Sequence, residues 1–250
     1  RCLALKTIEL PPPYKKQHEA ICDPARIVVI EASTKSGKTA GCLVWLLMQA
    51  WNTGAEGKAF WWVAPIYQQA KAIGFARMKA MLMQADTTHT IWKEHNSELW
   101  IELHNGAKIW FKGADNPDSL YGEDVYAAVI DEASRCREEA WIAVRSTLTA
   151  TKGPVRIIGN VKGRRNWAYQ LARLAEGGEA NMGYHKLTAY DAVEGGVLDP
   201  AEVEQAKRIL PEHTFKELYL AEPSDDGGNP FGIQAIQQCI SPISSAEPVV

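Results

Sequence analysis

The sequence Ala32-Ser33-Thr34-Lys35-Ser36-Gly37-Lys38-Thr39 decides how this 250-residue chain folds. It follows a short β-branched run, residues 26–31, of the kind buried in a parallel sheet, and it leads into an apolar, helix-compatible run, residues 38–51. Small residues between a strand and a helix let backbone N–H groups turn inward and hold a phosphate at the positive end of the helix. The sequence therefore predicts a phosphate-binding loop, although Ala32 stands where the motif GxxxxGK[ST] has its first glycine.

Two side chains of this loop are predicted to act on a nucleoside triphosphate. Lys38 is placed to bind the β- and γ-phosphate oxygens, and the hydroxyl of Thr39 to bind Mg²⁺. The position between a strand and a helix favours this interpretation over a chance Gly-Lys-Thr at a helix start. The nucleotide-binding residues predicted in the loop are Ser33, Thr34, Lys35, Ser36, Gly37, Lys38 and Thr39.

A second motif is an apolar run, residues 125–130, that ends in Asp131 and Glu132. An aspartate at the end of a buried strand is how proteins with a phosphate-binding loop place a carboxylate next to Mg²⁺. Glu132 is then positioned to polarise the attacking water as a general base. A glutamate directly after the aspartate, with no guanine-specifying NKxD in the chain, favours an ATPase over a GTPase.

Two further side chains are candidates because of where they lie along the chain. Gln17 precedes the first strand, and its amide, which is both donor and acceptor, is suited to the edge of adenine. The alternative for Gln17 is a surface position on a helix. Asn160 follows a strand, residues 155–158, that is expected beside the Asp131 strand, so it is placed to sense the γ-phosphate. A plain turn is the alternative for Asn160.

The order of elements predicts an α/β fold of the P-loop NTPase type, in its RecA-like (ASCE) class. β and α patterns alternate, which implies a mostly parallel sheet with helices on both faces. Asn105-Gly106 predicts a hairpin between 99–103 and 108–111. Other strands are expected at 58–64, 126–130 and 184–188, and other helices at 14–21, 67–85, 138–149, 200–209 and 211–220.

Composition excludes several classes of protein. The longest apolar stretch, residues 40–50, is shorter than the roughly 20 residues of a membrane span. Five cysteines without a CxxC pair make a disulfide framework or zinc site improbable and fit a reducing cytoplasm. The net charge of −3 argues against a uniformly basic nucleic-acid coat. Residues 140–175, however, contain basic side chains and no acid, which hints at an anionic partner or at a solvated surface.

An ordered set of motifs resembles the ATPase domain of the large terminase subunit of tailed bacteriophages, the motor that packs double-stranded DNA into procapsids. The set comprises Tyr14 and Gln17, STKSGKT, VAPIYQQAK at 63–71, DSLYG at 118–122, VIDEA at 129–133 and IIGNVKGRRNWAY at 157–169. The resemblance implies Mg²⁺ and ATP as cofactors and an additional basic residue in the loop, here Lys35. It also implies that Asn160, by position, couples hydrolysis to DNA movement.

One departure from the family concerns the arginine that members often carry just before the glycine of the DSLYG-like segment. Tyr121 stands there in this chain, so the charge that stabilises the transition state is expected from Lys35, Arg164 or Arg165. Lys162, Arg164 and Arg165 are also candidate contacts to DNA or to a neighbouring subunit.

The resemblance also gives an expected domain organisation and expected partners. Residues 1–25 form a lead-in with adenine-side residues, 26–176 the ATPase core, 177–224 a lid-like part of the same domain, and 225–250 a linker. The family's nuclease domain is expected to be missing, because no aspartate follows Phe231. Implied partners are double-stranded DNA, the small terminase subunit and the portal of the procapsid. The chain is expected to form a homo-oligomeric ring in the host cytoplasm and to be a monomer in isolation. Two alternatives remain, a superfamily 2 helicase-like ATPase and a non-catalytic nucleotide-binding assembly subunit.

Overall fold

The computed structural model describes residues 12–86 and 90–223 of the chain. Within these residues, eight strands form one sheet. The strands are β1 (Ile27–Ala32), β2 (Ala59–Ala64), β3 (Trp92–His95), β4 (Trp100–Leu103), β5 (Lys108–Gly113), β6 (Val125–Ile130), β7 (Val155–Gly159) and β8 (Met182–Leu187). The helices are α1 (Lys15–Ile21), α2 (Lys38–Thr53), α3 (Tyr67–Gln69), α4 (Ala76–Ala85), α5 (Glu138–Thr147), α6 (Trp167–Glu176), α7 (Ala189–Glu194), α8 (Pro200–Ile209) and α9 (Glu212–Leu220).

The sheet is mostly parallel, as its sequence pattern predicts. Its strand order is β3-β4-β5-β2-β6-β7-β1-β8, and only the β3–β4 and β4–β5 pairs are antiparallel among the described strands. Strand β7 lies between β1 and β6, so the strand before the phosphate loop and the strand before the acid pair are not neighbours. The carboxyl ends of these three parallel strands meet at one edge of the sheet, and the predicted phosphate loop, acid pair and Asn160 all lie at this edge.

Helices cover both faces because alternate strand residues point to opposite sides. On β2, Phe60 and Trp62 belong to one core cluster with α1, α2 and α4, whereas Trp61 and Val63 belong to a second cluster with α5 and α6. Both clusters consist of fully or almost fully buried side chains. The predicted three-layer α/β architecture is therefore confirmed.

The structure also differs from the sequence-based expectations in several elements. The helix expected at 67–85 is interrupted by a π-helical segment, Ala70–Phe75, between α3 and α4. Gly74 in this segment packs so closely on β2 that an added Cβ would lie 2.6 Å from a ring carbon of Trp62. The hairpin at Asn105-Gly106 is confirmed, but it is preceded by strand β3, which the sequence did not reveal.

Two helices were not foreseen. Helix α6 begins after Asn166, whose side chain accepts a hydrogen bond from the N–H of Ala168. Helix α7 begins with a capping box in which the side chains of Thr188 and Asp191 each accept a backbone N–H. These polar caps bind backbone N–H groups at the helix starts and so stabilise both helices.

The C-terminal helices α7, α8 and α9 pack around their own small cluster, formed by Ala189, Val203 and Phe215. Strand β8, by contrast, pairs with β1 and is the edge strand of the main sheet. Helix α9 reaches the phosphate loop, because the Leu218 carbonyl accepts a 2.7 Å hydrogen bond from the N–H of Thr34. The expected linker at 225–250 lies outside the described residues. None of the described helices combines the length and apolar character of a membrane span.

Candidate nucleotide-binding site

The three predicted motifs meet at the carboxyl edge of the sheet. The phosphate loop follows β1, Asn160 follows β7, and Asp131 and Glu132 follow β6. The expected pairing of the Asn160 strand β7 with the Asp131 strand β6 is confirmed, and since β7 also pairs with β1, Asn160 stands between the other two motifs. The loop leads into helix α2, whose first N–H groups have no partners within the helix.

A cleft of about 280 Å³, lined by several charged and hydroxyl side chains, opens between these elements and is called the phosphate cleft below. It contains most of the loop residues predicted to bind nucleotide, together with both acids of the second motif. The lining residues are Thr34, Lys35, Ser36, Gly37, Lys38, Thr39, Ala40, Ile73, Arg77, Asp131 and Glu132.

Lys38 connects the three motifs through one ammonium group. Its Nζ donates to Oδ1 of Asn160 at 2.9 Å and to the carbonyl of Ser33 at 3.2 Å, and it lies 3.6 Å from Oε1 of Glu132. The side chain of Lys38 is only 7% exposed. A buried ammonium is costly unless it is paired, so these contacts fix the amine at the floor of the cleft.

The loop owes its shape to hydrogen bonds at both of its ends. The hydroxyl of Ser36 donates to the carbonyl of Ser33, and Tyr14 donates to the carbonyl of Ser36, each at 2.9 Å. Gly37 has φ +80°, which favours glycine, and it begins helix α2. Lys35 also has a left-handed backbone, with φ 56°, and its exposed side chain lines the cleft.

The first two N–H groups of the loop are not available to a phosphate. The N–H of Ser33 donates to the carbonyl of Leu187, and that of Thr34 donates to the carbonyl of Leu218. Ser33 is fully buried below the cleft, so it supports the loop and does not line the cleft. A phosphate in the cleft could therefore be bound only by the loop N–H groups that follow Thr34.

Asp131 and Glu132 have different environments. Burial and the charge of Glu132 raise the pKa of Asp131 to about 7. The charges of Lys38 and Arg77, and the hydrogen bond that Asp131 accepts from the N–H of Glu132, lower this pKa but do not outweigh the first two effects. Glu132 is held in a left-handed backbone conformation, with φ 49°, which is uncommon for a residue with a side chain. Its carboxylate reaches the cleft and is 25% exposed.

The residues present fit a Mg²⁺ site of the kind the sequence predicts. Thr39 and Asp131 line the same cleft and supply a hydroxyl and a carboxylate, which are the oxygen ligands that Mg²⁺ prefers. The carboxylate of Asp131 is buried and its ionised form is disfavoured, so a divalent cation beside it would stabilise its charge.

A second cleft, of about 480 Å³ and mainly apolar, adjoins the first and is called the base cleft below. Gln17 forms part of its wall and is only 6% exposed, so it is not a surface residue of α1. Its amide nitrogen donates to the carbonyl of Gly37 at 2.8 Å. An added Cβ at Gly37 or Gly41 would lie 2.8 Å from this nitrogen, so both glycines make room for Gln17.

The remaining candidates lie outside the phosphate cleft. Lys162, Arg164 and Arg165 are exposed in the segment between β7 and α6. Arg164 and Arg165 do not line either cleft in the described part of the chain, whereas Lys35 does. Tyr121 is 48% exposed.

Sequence reasoning missed two residues of the phosphate cleft, Ile73 and Arg77. They belong to α4 and the preceding π-helical segment, where the helical spacing of apolar residues, Ile73 among them, predicts the face that packs on the sheet. That prediction is wrong, because Gly74, Phe75 and Met78 are the buried residues and Ile73 faces the cleft. The signal in the sequence for Arg77 is its position four residues after Ile73, which places both side chains on one face of a helix.

The model of one protein family matches residues 29–238 of the chain, and its description is the N-terminal part of the terminase large subunit, T4likevirus-type. The chain belongs to the terminase large subunit family. The matched residues contain the phosphate loop, the acid pair and Asn160, so the family assignment and the site coincide. No curated protein matches the chain.

Solved structures of large terminases share the fold of this chain. The ATPase domain of the Thermus phage P74-26 large terminase is 20% identical, with a TM-score of 0.72 over 84% of this chain and 94% of that one. The large terminase of another thermophilic bacteriophage, called the second thermophilic phage below, is 17% identical, with a TM-score of 0.72 over 85% of this chain and 54% of that one.

The large terminase of bacteriophage HK97 is 16% identical, with a TM-score of 0.68 over 86% of this chain and 51% of that one. This terminase chain thus spans about half the length of the proteins from HK97 and the second thermophilic phage. The large terminase of the second thermophilic phage has also been solved in complex with ADP and with ATP-γ-S.

Proposed function

We propose that this chain hydrolyses ATP with Mg²⁺ and that hydrolysis powers the translocation of double-stranded DNA into a viral procapsid. The observation that carries the proposal is the convergence of three motifs on Lys38, which contacts Ser33, Asn160 and Glu132. If these contacts only stabilised the fold, the ammonium of Lys38 would not need to line a cleft in which an incoming phosphate can bind it.

The residues of the cleft divide the work of phosphoryl transfer. Lys38 and the loop N–H groups after Thr34 bind the phosphates, and Lys35 adds positive charge at the rim. Thr39 and Asp131 would hold Mg²⁺, which neutralises charge on the phosphate oxygens. Glu132 accepts a proton from the attacking water while the bond between the γ-phosphorus and the β–γ bridging oxygen breaks, giving ADP and phosphate.

Adenine is the base that we propose for the base cleft. The base cleft is mainly apolar, and Gln17 on its wall offers an amide oxygen that can accept a hydrogen bond from an exocyclic amino group. The fold shared with a terminase of the second thermophilic phage, solved with ADP and ATP-γ-S, supports nucleotide binding by this chain. Asn160 is proposed to report the state of the γ-phosphate, because it shares the Lys38 ammonium.

The proposed partners follow from the family. Large terminase subunits imply double-stranded DNA, the small terminase subunit, the portal of the procapsid and a homo-oligomeric ring assembled in the host cytoplasm. The exposed residues Lys162, Arg164 and Arg165 support contact with DNA or a neighbouring subunit, because they lie beside Asn160 at the carboxyl edge of the sheet.

Steady-state hydrolysis tests the proposal. The chain should release phosphate from ATP in Mg²⁺, and EDTA should stop the reaction. Glu132→Gln should reduce turnover by at least about 100-fold, since general base catalysis contributes that much, while ATP binding is retained. Glu139→Gln, an exposed carboxylate on α5, is the matched control and should keep wild-type turnover.

The same measurements distinguish the alternatives. Full activity of Glu132→Gln would contradict the proposed general base. Nucleotide binding without any hydrolysis, even with DNA and the partner subunits present, would contradict the ATPase and favour a nucleotide-binding assembly subunit. Strand displacement coupled to hydrolysis would favour a helicase-like enzyme over a packaging motor.

A further inference from the structure

The phosphate cleft and the base cleft are joined at a short boundary. Only Gly37, Ala40 and Arg77 line both clefts among the residues in 12–86 and 90–223. Gly37 and Ala40 belong to the start of α2, and Arg77 faces them from α4. A nucleotide with its terminal phosphates in one cleft and its base in the other must pass between these residues.

The π-helical segment before α4 sets the direction of Arg77. Gly74, Phe75 and Met78 are buried against the sheet, whereas Ile73 and Arg77, four residues apart, both face the phosphate cleft. Single π turns within helices are frequent at functional sites. The close packing of Gly74 on Trp62 holds the segment in place.

Arg77 is available to a ligand. Its side chain is exposed at the cleft, and it makes no ion pair and no side-chain hydrogen bond with another residue of the described ranges. The cations of the phosphate cleft are Lys35, Lys38 and Arg77, against two carboxylates, Asp131 and Glu132. Arg77 acts on Asp131 through its charge but has no carboxylate oxygen within ion-pair distance in the described residues, so its guanidinium is suited to bind an anion.

We propose that Arg77 binds the α-phosphate of the nucleotide, at the boundary between the two clefts. The inference rests on the proposed function and assigns a further residue of the same site. Of the groups that link the base to the terminal phosphates, the ribose is neutral and the α-phosphate is anionic, and a planar guanidinium donates two parallel hydrogen bonds to phosphate oxygens. Arg77 thus supplies positive charge from within the same chain, in a terminase that has Tyr121 at the position of the family's arginine.

Competition binding against a fluorescent ADP analogue tests the assignment with ATP, ADP, AMP and adenosine as competitors. Arg77→Ala should weaken ATP, ADP and AMP by the same factor, about 10-fold or more, the usual loss for a hydrogen bond to a charged group, and leave adenosine unchanged. Arg77→Lys, which keeps the charge and removes the planar guanidinium, should weaken the binding of ATP, ADP and AMP less than Arg77→Ala does. Arg208→Ala, an exposed arginine of α8 outside both clefts, should bind all four as the wild type does.

Three results would overturn the inference. Unchanged affinities for ATP and ADP would show that Arg77 does not bind the nucleotide, and a loss confined to ATP would place it at the γ-phosphate. An equal loss for adenosine would mean that Arg77 only shapes the base cleft. If the wild-type chain binds no nucleotide, the proposed function itself fails. If the wild-type chain binds nucleotide and Arg77→Ala binds it equally well, only the inference about Arg77 fails. Thermal unfolding of each variant without nucleotide shows whether the fold is kept.

Discussion

The ammonium of Lys38 donates a 2.9 Å hydrogen bond to Oδ1 of Asn160, across 122 positions of sequence. The two residues follow neighbouring strands, β1 and β7, so the contact joins the phosphate loop to the segment that leads into α6. A γ-phosphate that draws on the same ammonium must weaken this bond or share it. The contact therefore gives the segment after Asn160 a direct way to respond to the nucleotide.

Replacement of Asn160 tests this connection. Asn160→Ala should lower turnover by about 10-fold or more, because one polar group at the reacting phosphate is lost, and leave ADP affinity nearly unchanged. Asn160→Asp should instead weaken ATP binding more than ADP binding, since a carboxylate beside Lys38 repels the γ-phosphate. Turnover and affinity are measured by phosphate release and by competition binding. Wild-type behaviour of both variants would exclude Asn160 as the sensor.

The sequence predicted which residues meet at the carboxyl edge of the sheet better than it predicted the surrounding elements. The residues Lys38, Asp131 and Asn160 could be assigned because each follows a buried strand whose apolar pattern is plain, and parallel strands bring their ends together. Helix α6 was not predicted, although its N-cap Asn166, whose side chain accepts the N–H of Ala168, is a helix-start signal that the sequence carries. Arg77 could not be predicted either, since its direction depends on the π-helical segment that precedes it.

Gly159 is the point where β7 passes closest to the acid pair. An added Cβ would lie 3.0 Å from the nitrogen of Ala133 and 3.4 Å from the carbonyl carbon of Glu132, both backbone atoms. Gly159→Ala should therefore destabilise the domain by about 1–3 kcal/mol and displace Glu132, with a clear loss of turnover. Gly177→Ala, where the added Cβ has its nearest contacts at 3.4 Å, is the control. Urea unfolding and phosphate release measure both effects, and an unaffected Gly159→Ala would contradict the close approach.

The packing of α7, α8 and α9 is predicted to support the phosphate loop. Phe215 is 5% exposed and is the largest side chain among the three buried members of their cluster. Phe215→Ala should weaken this packing by about 3 kcal/mol, and the loss of the Leu218 contact should loosen Thr34 and lower nucleotide affinity. Hydrogen exchange should rise in residues 189–220 first. Leu174→Ala, at a half-exposed position of α6, should change neither exchange in that region nor affinity.

The basic segment between β7 and α6 is predicted to bind DNA phosphates. If Lys162, Arg164 and Arg165 each neutralise one phosphate, replacement of each by alanine should lower the slope of log affinity against log salt by about 0.9 for double-stranded DNA. Lys207→Ala, which removes an exposed charge from α8, should leave the slope unchanged. The slope is measured by fluorescence anisotropy, in the presence of Mg²⁺ and a slowly hydrolysed ATP analogue.

A second measurement separates DNA contact from contact with a neighbouring subunit. Since both involve positive charge at the same edge of the sheet, DNA binding alone cannot assign Arg164 and Arg165. Replacing a residue that acts on a neighbour's nucleotide should lower turnover only in the assembled ring, and the salt slope of DNA binding by the monomer should stay unchanged. A residue that grips DNA should change the slope in monomer and ring alike. If all three alanine variants keep wild-type slopes and wild-type turnover in the ring, the segment serves neither contact.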